Sequence, residues 1–514
     1  MQAIKLAFFA LFGCASSIAF AAAPQASELS NLSLTQLNSK IADAQRNAKS
    51  DPRAFCALEP LLRELDRRDP NSLTRAGAEY DAAICSITAG DSAAMWRYLK
   101  VAEDLLPIEE GGNLRIAIES LALDMSASTR DADRYIAHVV HVAKMDDPGV
   151  FDVVDAEKLF ANLSLLPEAS ADPVYLAFAE ARNFRALPGY FRQAIGRDAV
   201  LPALRAGKRE VALRMISEVS DVDYVFPLLL DRRYAALWPE IDERVGQHQS
   251  RVASDFVAFS KEEWAAEPNN HWAFGDLVRS LVGAGRNQEA IAAYQLMPKA
   301  PDSIAQYQPG DGWAINAVVV AFDREGRRAE ADQAFDQLLQ VSAEANPWVV
   351  GLLNKRAGRL IDQGRWKEAI VAATYGLESA ERYGTANDQA TAAAYVICAS
   401  AHVPSDPVET RANRTIDMSG DKYPVAGAVA ALCRGDKAKA KAMILSGLNN
   451  SKTRLLMIQN MQSASARPMP ISYKSASVDL GDFAQSDDEL TAEVMRYGRF
   501  LPANLFPAIS IEGN

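Results

Sequence analysis

Phe274-Gly275-Asp276-Leu277-Val278-Arg279-Ser280-Leu281-Val282-Gly283-Ala284-Gly285-Arg286-Asn287-Gln288-Glu289-Ala290-Ile291-Ala292-Ala293-Tyr294 reads as a helix, a break and a second helix. Apolar side chains at 274, 277, 278 and 281 share one helical face. Gly285 supplies a residue that enters the left-handed region at no steric cost and ends the first helix. Five residues later Ala290 is small enough for the returning helix to cross closely, and Ile291 and Tyr294 continue the apolar face of that second helix.

The pattern recurs. Ile315, Val318, Val319 and Phe322 precede Gly326, followed by Ala331 and Phe335; Leu353, Ala357 and Leu360 precede Gly364, followed by Ala369, Ile370 and Ala373. The glycines lie 41 and 38 residues apart. Proline marks helix limits at Met297-Pro298 and Asn346-Pro347. Weaker copies surround Gly90 with Met95, Gly207 with Ala212 and Ile216, and Gly435 with Ala440 and Ile444, while Asp231 to Trp238 keeps a second helix without its glycine. Alternating strand-like runs are absent from Leu29 to Gln462. A pair of helices cannot bury its apolar face alone, so such units come in arrays. The expected fold is all-α, an α-solenoid of stacked antiparallel helix pairs.

These residues resemble the tetratricopeptide repeat family, specifically over 271–380, moderately near 427–448 and more distantly over 30–270. The repeats are longer than the usual 34 residues of that family, and Leu, Ser or Ala often replaces its late aromatic in the first helix. The resemblance implies a superhelix whose concave groove holds a protein or peptide. Trp272 and Trp313 stand 13 residues before Gly285 and Gly326, at the start of the first helix of consecutive units. In the resembled family that side lines the groove, together with Arg279, Asn316 and Asn354. Trp and Arg are enriched where binding energy concentrates; the competing expectation is a tryptophan packed at a repeat boundary. The family's Lys/Asn/Arg clamp on a terminal carboxylate is not reproduced.

The ends of the chain carry other signals. Lys5, the uncharged run Leu6–Ala23 and the cluster Ala19-Phe20-Ala21-Ala22 have the three parts of a secretory signal peptide, cleaved after Ala21 or Ala22. The run is broken by Gly13, Ser16 and Ser17, which argues against a spanning helix of about 20 apolar residues. Leu11-Phe12-Gly13-Cys14 departs from a lipobox at Phe12, so an outer-membrane lipoprotein is the lesser alternative to a periplasmic or secreted protein. The segments read as 1–22 signal peptide, 23–270 degenerate helical repeats, 271–450 clear repeats, and 451–514 a C-terminal loop, a short helix near Asp488 to Phe500 and a tail. At the N-terminus Ser33 and Gln36 have capping-box spacing, with Leu32 placed to staple onto Leu37. No integral membrane segment is expected after cleavage.

The chain carries 54 basic and 66 acidic residues. Loss of Lys5 leaves 53 against 66, a net charge of −13. Without a basic cluster this argues against nucleic acid. Four cysteines remain after cleavage. In an extended array, distant repeats stay apart, which pairs Cys56 with Cys85 and Cys398 with Cys433 in an oxidising compartment; four reduced, buried thiols are the alternative.

No reaction centre is legible. Gly-x-Ser-x-Gly, phosphate loops and dinucleotide fingerprints are absent. His138 and His141 share a helical face and could ligate a metal with Asp146 or Asp147, but His-Val-Val-His lacks the glutamate of a zinc-hydrolase helix, so they read as two histidines on a repeat helix, and no metal and no cofactor are expected. Exported lytic transglycosylases also carry α-superhelices, but Glu119-Ser120 and Glu378-Ser379 lie within helical periodicity and no Gly-Leu-Met-Gln follows either. The expected function is a non-enzymatic scaffold binding a protein or peptide in the cell envelope; the alternative is an accessory or degenerate subunit of peptidoglycan metabolism.

Overall fold

The computed structural model describes residues 31–47, 56, 59–68, 71–106, 112–145, 151, 153–462 and 479–505. The signal peptide with Cys14, the acids Glu109, Glu110, Asp146 and Asp147, and residues 463–478 lie outside the described residues. Among the described residues the secondary structure is helical, with one isolated bridge between Asp231 and Gly498 and no helix long and apolar enough to cross a membrane. The chain divides between Ala186 and Leu187 into two compact units.

The first unit contains α1 (Leu34–Asn47), α2 (Glu59–Arg68), α3 (Ser72–Thr88), α4 (Ser92–Leu105), α5 (Gly112–Thr129), α6 (Ala132–Lys144), α7 (Ala156–Leu163) and α8 (Glu168–Glu180). The expected capping box begins α1: Ser33 N donates to Gln36 Oε1 at 2.8 Å, and Gln36 N donates to Ser33 Oγ at 3.2 Å. Leu32 packs onto the cluster of Leu37, Ile41, Leu61 and Leu65 that α1 shares with α2.

The second unit contains α9 (Gly189–Arg205), α10 (Arg209–Ser217), α11 (Val222–Leu230), α12 (Trp238–Val245), α13 (Ser250–Ala266), α14 (His271–Gly283), α15 (Asn287–Gln295), α16 (Pro301–Ile304), α17 (Pro309–Arg324), α18 (Arg328–Gln337), α19 (Val349–Asp362), α20 (Trp366–Tyr383), α21 (Ala386–Ser400), α22 (Asp406–Ser419), α23 (Pro424–Cys433), α24 (Lys437–Asn449), α25 (Arg454–Asn460), α26 (Leu480–Gln485) and α27 (Asp488–Tyr497). Residues 187–270 therefore belong to the same compact unit as the clear repeats. Between Asp231 and Trp238 the chain forms a 3₁₀ turn, Arg232–Leu237, before α12 begins. Within the stretch read as a loop, α26 forms because Asp479 caps it, accepting from Gly481 N and Asp482 N.

The repeat signature operates as local chemistry. Gly90, Gly207, Gly285, Gly326, Gly364 and Gly435 all have positive φ, between 67° and 77°. Each lets the next amide reach back five residues, as in Arg286 N to Leu281 O at 2.8 Å and Arg327 N to Phe322 O at 2.8 Å. This satisfies the terminal carbonyls of the first helix. The following small residues Ala212, Ala290, Ala331, Ala369 and Ala440, and Met95 in the first unit, are fully buried where the return helix crosses.

Successive pairs are joined by buried polar contacts as well as by apolar packing. Arg359 of α19 grips Asp323 of α17 with two bonds of 2.7 and 2.8 Å, and both side chains are almost fully buried. Tyr294 Oη donates to Gln337 Oε1 at 3.0 Å. The predicted cysteine pairs are in place as disulfides, with Cα–Cα distances of 5.0 Å for both Cys56–Cys85 and Cys398–Cys433.

The C-terminal helices of this unit pack in two directions. α27 covers α24, with Lys441 bonded to Asp487 at 2.8 Å. Beyond it Arg499 donates to Leu229 O at 2.6 Å and pairs with Asp242, and Gln249 Nε2 donates to Leu505 O at 2.9 Å. The second unit thus closes its end onto α11 and α12 near its start. An open superhelix has no such contact; the Arg499 fork supplies it.

A candidate partner-binding recess

The recess is built from the crossing of α14 with α17. Asn270 caps α14, accepting from Trp272 N at 3.0 Å and Ala273 N at 3.2 Å. His271 Nδ1 lies 2.7 Å from Asp311 Oδ2, and the same carboxylate accepts from Gln308 N in the capping box of α17. The first turns of both helices are therefore pinned to each other. Two glycines permit the approach: a Cβ on Gly275 would fall 2.6 Å from Gly310 O, and one on Gly310 would fall 2.1 Å from His271 O.

This crossing brings Trp272, Arg279, Trp313 and Asn316 around one cavity of about 190 Å³, completed by Asp223, Gly275 and Asp276. Trp272 is 56 % exposed, whereas Trp313 is partly buried and packs on the core of α14, α17 and α18. Asn316 is buried at the cavity wall. Asn354 is elsewhere. Its Nδ2 donates to Asp388 O at 3.0 Å and its Oδ1 lies against Gly376, so it joins α19 to α20 and α21.

The floor is ionic. Arg279 pairs with Asp221 at 2.6 Å, with Asp276 at 3.0 Å and with Asp223, and its guanidinium lies 5.0 Å from the centre of the Phe256 ring. Asp221 is held by Gln193 Oε1, which accepts from its amide at 2.7 Å. Burial pushes the Asp223 carboxyl up to about 6; Arg279 opposes this, and Asp221 and Asp276 reinforce it. About half of the Asp223 side chain is exposed, but it lines the recess beside Asp276, Arg279 and the two indoles, and burial there prevails. Burial also raises Asp276. For Arg279 burial acts against the charge, but the three carboxylates outweigh it and hold the proton more firmly. Lys355 of α19 is pushed down to about 8 by burial, against the attraction of Asp223.

Arg279, expected among the groove-lining residues, is spent on the protein's own acids. Three carboxylates already engage its guanidinium, so it positions Asp223 and Asp276. With Asp221 counted and with Arg279 and Lys355 both charged, three negative charges face two positive ones, leaving an excess of one negative charge. Two indoles beside carboxylates suit a cation, which gains from the ring faces and from the acids together. Asp223 escaped the sequence reading because it lies on α11, outside the clear repeats.

No protein-family model matches the chain, and no curated protein matches it. Among solved structures the chain is similar to a circular tandem repeat protein with novel repeat topology and enhanced subunit contact surfaces. The identity is 14 % over 92 % of this chain and 94 % of that chain, with a TM-score of 0.13, which carries no argument about fold or function.

Proposed function

We propose that the chain is an exported, non-enzymatic interaction protein, a tetratricopeptide-like scaffold whose larger unit captures a protein or peptide partner in the cell envelope through a cationic side chain seated between Trp272 and Trp313. The observation that carries this reading is the large exposed indole of Trp272 beside a recess with excess negative charge. Exposed aromatic surface on a free protein costs solvation and is recovered when a partner covers it. Two disulfides suit an oxidising compartment.

The test is capture from the envelope fraction by tagged wild-type protein and by Trp272→Ala and Asp223→Asn variants. A stoichiometric partner held by the wild type, released by lysine- or arginine-rich competitor peptide and lost in both variants supports the reading. Retention that is equal in all three proteins refutes it.

A further inference from the structure

In the first unit, four side chains converge that neither the repeat pattern nor the recess of the second unit explains. Glu103 comes from α4, Glu119 from α5, and His138 and His141 from α6; one ligand atom from each lies within 4.8 Å of every other. His138 Nδ1 is 2.8 Å from Glu119 Oε2 and 3.3 Å from Glu103 Oε1, and His141 Nδ1 is 3.4 Å from Glu119 Oε1. Around a tetrahedral zinc ion with bonds near 2.0–2.2 Å, ligand atoms stand about 3.4 Å apart. Two of the short separations, 3.3 and 3.4 Å, match such an edge, and the ligand atoms all stay within 4.8 Å of one another.

Several buried polar atoms of the cluster lack a hydrogen bond of good geometry. Glu119 is fully buried, and Oε1 of Glu103, Oε1 of Glu119 and Nδ1 of His141 are shielded from water with ion-pair contacts only, at 3.3 Å to His138, 2.5 Å to Arg115 and 3.4 Å to Glu119 Oε1, and no hydrogen bond of ordinary geometry. Buried lone pairs left in this way are costly. Arg115 is the one fixed cation among these groups: its Nη2 lies 2.5 Å from Glu119 Oε1, and its Nη1 donates to Leu106 O at 2.9 Å and Glu103 O at 3.2 Å. It balances one carboxylate and leaves the second. We infer that Glu103, Glu119, His138 and His141 form a binding site for a divalent transition-metal ion, of which Zn²⁺ is the natural probe.

Two nitrogens and two carboxylate oxygens form a donor set that suits zinc and its borderline first-row neighbours rather than calcium or magnesium, which prefer all-oxygen shells. An entry path exists. Glu103 and His138 also line a large open cavity of about 850 Å³, bordered by Trp96, Arg97, Lys100 and Arg134. The Trp96 ring stacks on His138, with centroids 6.1 Å apart, and Arg134 lies 4.5 Å from the centre of Trp96, so one face of the imidazole is fixed from the cavity side. The His-x-x-His spacing was visible in the sequence, but its acids come from the two preceding helices.

The experiment is titration of the chelator-stripped full chain with Zn²⁺ by calorimetry in buffers of different ionisation enthalpy, with Co²⁺ absorption as a second readout. The expected result is one ion per chain, with Co²⁺ bands of a four-coordinate site. His141→Ala and Glu103→Gln, on partly exposed side chains, should each weaken binding by about tenfold or more with circular dichroism unchanged. Absence of Zn²⁺ uptake by the wild type, or uptake unaltered in both variants, would overturn the assignment and leave a hydrogen-bonded ion cluster only.

Discussion

Replacing Gly310 by Ala should damage the recess in a way that replacing Gly326 does not. At Gly326 nothing lies within 4 Å of an added Cβ, but φ is +72°, so Gly326→Ala costs only the left-handed strain of about 1–2 kcal/mol. At Gly310 the added Cβ meets His271 O at 2.1 Å, against the 3.0 Å that real Cβ atoms keep, so backbone has to part by about 0.9 Å. Overpacking of this kind costs about 1–3 kcal/mol, and a gap of 0.5–1 Å forfeits about a quarter to a half of each dispersion contact it opens. The contacts at risk include Leu277, Leu281, Ile315 and Val318, all buried between α14 and α17. The sum should reach about 3 kcal/mol or more. At about 2 °C per kcal/mol for a unit of this size, Gly326→Ala lowers Tm by about 2–4 °C and Gly310→Ala by about 6 °C or more. Hydrogen exchange should quicken over residues 271–276 in Gly310→Ala alone. If Gly310→Ala is no worse than Gly326→Ala and exchange there is unchanged, the glycine crossing does not set the recess.

Arg359→Ala should lower stability by about 3–5 kcal/mol in urea denaturation, because it strips a buried carboxylate of its forked partner. The folded-state pKa of Asp223 is raised, so its contribution to stability is present below about pH 4 and lost as pH rises through about 6; partner capture should move oppositely, strengthening as pH rises through 6, and Asp223→Asn should flatten both profiles. Non-reducing peptide mapping should recover Cys56 with Cys85 and Cys398 with Cys433. Reducing each bond should cost roughly 3.5–4 kcal/mol in the chain-entropy account for closed loops of this length, which chemical denaturation of the reduced protein measures.

The helix-pair architecture was legible because its signals are local. A left-handed glycine followed five residues later by a buried side chain, alanine after five of the six glycines and Met95 after Gly90, is a short-range requirement, and the same spacing identified the weaker copies at Gly90, Gly207 and Gly435. Trp272 and Trp313 were placed together by register alone. Asn354 shares the register of Asn316, but the helix pair stacked after it covers the position. The acids of the recess and of the histidine cluster were illegible for a different reason. Asp223 reaches Arg279 across 56 residues, and Glu119 reaches His138 across 19, through packing that no repeat signature encodes. The closure of Arg499 onto Asp242 spans 257 residues and depends on how the whole unit curves.

The most direct test of the account compares binding and stability for Trp272→Ala. With 56 % of its surface exposed, Trp272 buries less than half of the roughly 250 Å² a tryptophan offers, so truncation should cost about 2–2.5 kcal/mol of stability, a Tm fall of a few degrees with helicity unchanged. As the anchor of a partner it should cost about 2 kcal/mol of binding or more, a rise of about 30-fold in Kd measured on the partner captured by the wild type. Loss of capture at nearly constant Tm is the predicted result; unchanged capture, or a collapse of Tm with no specific binding defect, would contradict the central claim.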